Sequence, residues 1–518
     1  MANKSLFQSI IGSFIPKTDT INKASGNAYS FTPKHALAQY AMTGCFNATF
    51  YASAENQLEK VLTLSQTIEP EFIARLAIYS RQCGFMKDMP ALLCAILSVK
   101  NRDLLAKIFP QVIDNGKMLR NFVQIIRSGV VGRKSLGSLP KRLVREWFET
   151  RNEEAIFRAS IGQSPSFADI IKMVHPKPKD LKREAFFGYM IGRQYDETKL
   201  PELVQQYEAF KASNTEEMPN VPFEMLTMLN LNSKNWVDIA RNGSWQMTRM
   251  NLNTFARHGV FSLDGMDKVV ADRLRNPELI AKAKAFPYQL MNAYLMASAD
   301  VPKVITEALQ DAMEIAISNV PKFDGKVYVC PDVSGSMSSP ATGYRQGSTS
   351  KVRCIDVAAL VAAAVIRKNS DAEVLPFEQT VVERLKLNSR DSVMTNATKL
   401  ASIGGGGTNC SAPLALLNKR KAKGDLVIFV SDNESWVDAQ QGRGTATMQE
   451  WQKFKQNNPN ARLVCIDIQP YGTTQAPDRQ DILNIGGFSD QVFDVIKLFS
   501  GGQSQGEHWV KVIETVEL

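Results

Sequence analysis

No apolar run in these 518 residues approaches the roughly 20 needed to cross a bilayer. The best candidate, Val357–Ile366, is short and stops against Asp356 and Arg367. The opening MANKSLFQSIIGSF carries only a brief apolar patch and no small-residue cleavage site, which argues against an export signal. Cysteine is scarce and scattered: Cys45, Cys83, Cys94, Cys330, Cys354, Cys410 and Cys465 form an odd set without a Cys-x-x-Cys pair. That excludes a disulfide framework and a zinc knuckle, and predicts small buried hydrophobes in a reducing compartment. The histidines, His35, His175, His258 and His508, show no metalloprotease or nuclease spacing. These absences point to a soluble, unexported protein, expected in the cytoplasm; a monomer is expected as well. Its length exceeds one core, so two or three domains are expected.

Charge is present in excess, and unevenly. The net charge is +9. Residues 1–320 hold 39 Lys and Arg against 31 Asp and Glu, whereas residues 321–518 hold 22 against 21. The excess concentrates between Asn115 and Arg145, where Lys117, Arg120, Arg127, Arg133, Lys134, Lys141, Arg142 and Arg145 meet no acid at all. A charge run is often a solvated face, but basic density without interleaved carboxylates is what a polyanion-binding surface needs.

From about residue 35 to 315 the pattern is helical. Leu58, Val61, Leu62 and Leu64, then Phe72, Ile73, Leu76 and Ala77, then Met118, Leu119, Phe122, Val123, Ile125 and Ile126 recur at helical spacing. Pro, Gly and Asn punctuate the segments at Pro70, Pro90, Asn115-Gly116, Pro140, Pro176, Pro201 and Asn276-Pro277. Many short helices in series suggest a helical-repeat solenoid. Near residue 320 the texture changes. Strands are expected at 326–333, 373–377, 381–387, 425–431 and 462–468. Helices are expected at 352–368, 392–402, 412–418 and 445–457, with a terminal helix at 491–499. Strands alternating with helices indicate a doubly wound parallel sheet, whose ligands sit at the strands' carboxyl ends.

Three pieces fall at such ends. Asp332, Ser334 and Ser336 form D-x-S-x-S after the first strand, the tetraglycine Gly404–Gly407 leads to Thr408, and the strand DLVIFVS delivers Asp432. Two carboxylates and three hydroxyls are hard oxygen donors, suited to Mg²⁺ or Mn²⁺. The tetraglycine is not a P-loop, and neither serine lies in G-x-S-x-G. Phosphoryl hydrolysis lacks a general base and a second metal cluster. The polar segment 338–351 is expected to be a mobile excursion beside the metal. The five positions resemble the metal-ion-dependent adhesion site of von Willebrand factor A domains. Such a site either grips an acidic protein ligand or holds its ion without a partner.

Several helical stretches resemble the TROVE domain of the bacterial-type Ro family. They are Ile73–Gln82 with Asp88-Met89-Pro90, Gly132–Lys134 through Lys141-Arg142 to Glu146–Phe148, Ser166–Pro178, Met247–Gly259, and Phe286-Pro287. Their order ahead of an A domain extends the resemblance over nearly the whole chain. It divides the chain into an N-terminal segment 1–25, a TROVE region 26–320 and an A domain 321–518. The resemblance implies a ring of HEAT-like α-helical pairs followed by an α/β doubly wound domain. It further implies an RNA-binding ribonucleoprotein component without catalytic activity. The partners would be small structured Y-like RNAs on a basic face and single-stranded 3′ ends of misfolded or unprocessed RNAs in the ring. Such a protein serves as an RNA quality-control adaptor beside an exoribonuclease. Arg158 and His175 stand where the family contacts RNA, and Lys172 joins the candidate set. His175 also reads as a helix cap, and Trp147 and Phe148 as core. The alternative function is a metal-dependent protein-interaction scaffold.

Overall fold

The computed structural model describes residues 15–44, 46–213, 218–263, 265–283, 287–317, 320–344, 352–438, 444–487, 489, 491–502 and 508–518. They form two compact units. One comprises the described parts of Met1–Ile68, Lys284–Leu295 and Leu309–Thr515, the other those of Glu69–Ala283, Met296–Ala308 and Val516–Leu518. Compactness thus divides the chain at other places than motif and composition do.

Among the described residues, the first unit holds every strand. In chain order these are Thr20–Ile21 (β1), Asn27–Ser30 (β2), Val327–Pro331 (β3), Glu373–Val374 (β4), Leu426–Ser431 (β5), Arg462–Asp467 (β6), Thr473–Thr474 (β7) and Ile482–Gly486 (β8). A five-stranded sheet runs β4-β3-β5-β6-β8 with every pair parallel. Its central strands read VYVCP and LVIFVS and are buried throughout, as sheets covered on both faces require. One covering helix, Cys354–Lys368, buries nearly its whole apolar run. Against the sheet Tyr328, Cys330, Phe377, Phe429, Trp451 and Phe454 share one core. The chain leaves β3 for β4 on one side and returns to β5 on the other. The strand order therefore reverses between β3 and β5, and a crevice opens at their carboxyl ends.

Several expectations need correction. Residues 381–387 form no ladder beyond one bridge, Phe377 to Val381. Their alternation instead sets half-buried Val381, Leu385 and Leu387 against exposed Glu383, Arg384 and Lys386. The helix Gln491–Ser500 is not terminal, since His508–Glu514 follows. β8 was not foreseen, and neither were β1 and β2. Of the excursion 338–351, residues 345–351 lie outside the described residues, as do Cys45 and Phe286. The described cysteines are buried apart from half-buried Cys83.

From residue 53 to 316 every regular element among the described residues is helical. In the second unit, helix Gly116–Ser128 shows why. Asn115 Oδ1 accepts from Met118 N–H at 3.0 Å, and Gly129 ends the helix at φ 86°. Between these caps Met118, Leu119, Phe122, Val123 and Ile126 are buried, and Lys117, Arg120, Gln124 and Arg127 make the opposite stripe. Of two buried cations among the unit's described residues, Arg249 and Arg183, Arg183 is the more deeply buried. Its Nε donates to Glu153 Oε1 at 2.6 Å and its terminal nitrogens to Phe148 O and Arg151 O at 2.8 and 2.7 Å. Burial alone would raise the Glu153 carboxyl, but backbone N–H and Arg183 hold it below its ordinary range. Among the described residues no helix is long and apolar enough to cross a membrane.

Candidate metal centre and nucleic-acid interface

The crevice between β3 and β5 collects the five oxygen donors, none more than 6% exposed. Asp332 follows β3, and Asp332 Oδ1 accepts from Ser334 N–H at 2.8 Å while Oδ2 accepts from Ser431 Oγ at 2.6 Å. Thr408 Oγ1 donates to Ser334 Oγ at 3.0 Å, and the Ser334 and Ser336 hydroxyls lie 3.4 Å apart. The glycine loop is sewn to the D-x-S-x-S turn, because Gly335 N–H donates to Gly406 O and Gly405 N–H to Val333 O, both at 3.0 Å. Gly406 sits at φ 78°, and a side chain there would collide with Glu378. Asp432 follows β5, with Oδ1 accepting from Glu434 N–H at 3.2 Å.

Two carboxylates sharing a buried crevice resist ionisation together. Burial, then the Asp432 charge, pushes the Asp332 carboxyl up to about 7, and burial raises Asp432. Hard donors of this kind, around charge that burial makes costly, fit a divalent cation. Among the described residues no group of three or more His, Cys, Asp or Glu is arranged for a metal, so any site here rests on hydroxyls.

Sequence reasoning missed what surrounds the crevice. Tyr51 hydrogen-bonds Ser336, and burial with the charges of Asp432, Glu434 and Asp332 pushes its hydroxyl up to about 12. Tyr51 N–H also meets Tyr471 Oη at 3.4 Å. Glu434 is fully buried; Oε2 accepts from Lys23 N–H and Ala24 N–H at 2.5 and 3.1 Å. Burial and Asp432 push the Glu434 carboxyl up to about 8. Asn22 Nδ2 donates to Ser435 O at 2.7 Å, and any side chain at Gly26 would strike that same carbonyl. Gln39 Nε2 donates to Asp467 Oδ2 at 2.5 Å. His35 Nδ1 lies 2.8 Å from Asp478 Oδ2, its ring stacked on Phe31 and edge-on to Trp509. The partners in these pairs stand hundreds of positions apart in the chain, so no local motif announces them.

The eleven basic candidates all fall in the second unit. Lys117, Arg127, Lys134, Arg142, Lys172 and His175 are exposed, and Arg120, Arg133, Lys141, Arg145 and Arg158 are half-buried. Arg133 donates to Ser98 O, Ser135 O and Leu136 O, which fixes it as a structural fork. Arg145 Nε serves Val174 O at 3.1 Å, and Arg158 Nε serves Asn220 O at 2.9 Å. Arg142 has only a 3.4 Å contact with exposed Glu146, and Lys117 only a 3.9 Å contact with Asp88. Arg120 packs against Gly162 with Nε buried and unpartnered among the described residues. His175 ends helix Phe167–Val174 in the left-handed region at φ 50°, with its side chain exposed. Trp147 and Phe148 are core, and Trp147 Nε1 donates to Ile113 O at 3.0 Å.

An all-parallel α/β sheet with a D-x-S-x-S turn at its switch point, following a long helical region, defines a two-part protein ending in a von Willebrand factor A domain. Residues 326–500 match the family described as the Ro60 vWA domain. RNA-binding protein RO60 of Deinococcus radiodurans is 23% identical over 521 residues, covering 93% of this chain and 95% of that protein. The crystal structure of the D. radiodurans RO (RSR) protein shares the fold with a TM-score of 0.61 at 20% identity, covering 91% of this chain and 100% of that one. The likeness to Ro proteins therefore runs over nearly the whole chain, and residues 326–500 carry the family-model match.

Proposed function

We propose that this chain binds RNA through the basic surface of its helical unit and has no catalytic activity of its own. The observation that carries this is the stripe Lys117, Arg120 and Arg127 with Lys134 and Arg142 further along the chain, mostly exposed, from a run without an acid in sequence and with only loose contacts to Asp88 and Glu146 at its edges. RNA phosphates are met by displayed Lys and Arg, and the similarity to an RNA-binding RO60 protein points the same way. The finer reading is a Ro-type adaptor for small structured Y-like RNAs and for single-stranded 3′ ends of misfolded or unprocessed RNAs, delivering them to an exoribonuclease.

The A domain's role in this reading is to hold Mg²⁺ or Mn²⁺ through Asp332, Ser334, Ser336, Thr408 and Asp432. Bound there, the cation would neutralise the crevice and leave a site for an acidic protein ligand.

The test reverses Lys117, Arg127, Lys134 and Arg142 to Glu together. Affinity for a structured RNA should fall at least tenfold, and the salt dependence should flatten by roughly one unit for each phosphate no longer neutralised. Stability should move by only about 0.5 kcal/mol per exposed site. Unchanged affinity and slope would leave the stripe a solvated face. A duplex with a 3′ tail should also outcompete its blunt counterpart.

A further inference from the structure

We infer that a cleft of about 720 Å³ in the helical unit is a receptor for one unpaired nucleobase. The inference rests on the RNA-binding reading and assigns a subsite within it. The cleft lies between the end of helix Glu153–Ala159, the segment 218–226 and the helices Ser233–Asn242 and Trp245–Met250. Its size suits one small-molecule-sized group.

The chemistry of the lining selects the occupant. Arg158 and Glu224 are the only ionisable groups among the described lining residues, and the polar remainder is dominated by carboxamides. A carboxamide offers a donor and an acceptor side by side, which matches the edge of a nucleobase as it does in base readout. Two of these amides are uncommitted. Asn242 is exposed at its helix end and has no side-chain partner among the described residues. Gln246 Nε2 reaches only Met250 Sδ at 3.7 Å, and its Oε1 has no partner among the described residues. A weak sulfur contact of this kind is readily exchanged for a ligand.

The remaining walls suit the faces of a flat ring. Phe223 is held edge-on against Trp236, and Met250, at 66% exposed, presents a polarisable thioether. Arg158 lines the cleft with Nε anchored on Asn220 O and one terminal nitrogen 3.6 Å from solvent-accessible Glu154 Oε2, a loose ion pair that a phosphate can replace. Its helix packs against Gly116–Ser128, and Arg120 of the basic stripe lies against Gly162 just beyond that helix. A peptide would satisfy the apolar walls as well, but it would not account for a phosphate-type donor beside neutral amides.

The test uses a duplex with a single-stranded 3′ tail and a series in which each tail nucleotide in turn is abasic. Wild type should lose about tenfold in affinity at one tail position, the worth of a stacked and hydrogen-bonded base, and little elsewhere. The double variant Asn242→Ala, Gln246→Leu should erase that positional penalty while keeping the parent salt slope and blunt-duplex affinity. Asn242→Ala alone, at an exposed site, should halve the penalty on a logarithmic scale and serves should the double variant unfold. A flat abasic profile in wild type overturns the base receptor while RNA binding stands, and is what a peptide cleft would give. A positional penalty that survives in folded variants also overturns it. Binding of neither duplex by wild type removes the RNA reading itself.

Discussion

Two charged regions of this molecule obey opposite rules. At the β3–β5 crevice, Asp332 and Asp432 are buried together and each resists ionisation. On helix Gly116–Ser128, Lys117 and Arg127 project into water from the side opposite the buried apolar face. Like charges in water are screened within about 10 Å at 0.1 M salt, so they accumulate without partners. Buried ones need a proton, a cation or a hydrogen-bond fork. The difference teaches where a ligand is required for the site to be at ease and where it is merely invited.

Arg183 breaks the pattern inside the helical unit, as a cation held in the core with each of its three guanidinium nitrogens donating a hydrogen bond. Replacing it by Leu should cost about 3–5 kcal/mol in denaturant unfolding, because Glu153 is left buried and unpaired. An effect under 1 kcal/mol would mean that water reaches this carboxylate and that the contrast between the regions is overstated.

A smaller effect should come from the crevice. At a hundredfold excess over its dissociation constant, Mg²⁺ or Mn²⁺ should stabilise wild type by about 2.7 kcal/mol. Asp332→Ala should fold, lose that gain in calorimetry and thermal shift, and keep its RNA affinity. A folded mutant that no longer binds RNA would join the two regions into one site.

The smallest effect concerns acid. Burial would raise Asp478, but the adjacent His35 and the Asn484 amide outweigh it and hold the carboxyl below its ordinary range. Its stabilisation is therefore present above the unfolded carboxylate value and lost as pH falls through the depressed folded one. Asp478→Asn should lower stability at neutral pH and make the acid limb of unfolding shallower. An acid limb as steep as wild type would assign that limb to other carboxylates.

The five oxygen donors were legible because each lies within a few residues of a strand end or glycine turn, where local pattern and topology agree. The strands LVIFVS and VYVCP announced themselves by continuous apolarity, and the caps of Gly116–Ser128 by Asn115 and Gly129. Residues 381–387 misled because alternation marks one buried side and says nothing about a ladder partner. The acid-free run was legible as charge but not as geometry. Arg133 and Arg142 look alike in sequence, yet one is a fork on three carbonyls and the other is exposed. Glu434 and Asp467 were invisible because their partners, Lys23, Ala24 and Gln39, are remote in the chain.

The pairing of β2 with β7 sets an order on biosynthesis. Tyr29 finds Thr474 only after the residues between them, including Glu69–Ala283 and Met296–Ala308 of the helical unit, have been made. Until then Tyr29, Leu37 and Tyr40, buried in the finished unit, lack the part of their cover that the last strands and helices supply. Closing so long a loop is entropically slow and leaves apolar surface open to the wrong contacts. A fragment cut at 326–500 inherits the other half of the difficulty, with Glu434, Asp467 and Asp478 stripped of the backbone, amide and imidazole that receive them. The stretch that matches the Ro60 vWA family model is therefore smaller than the stretch that must fold as one.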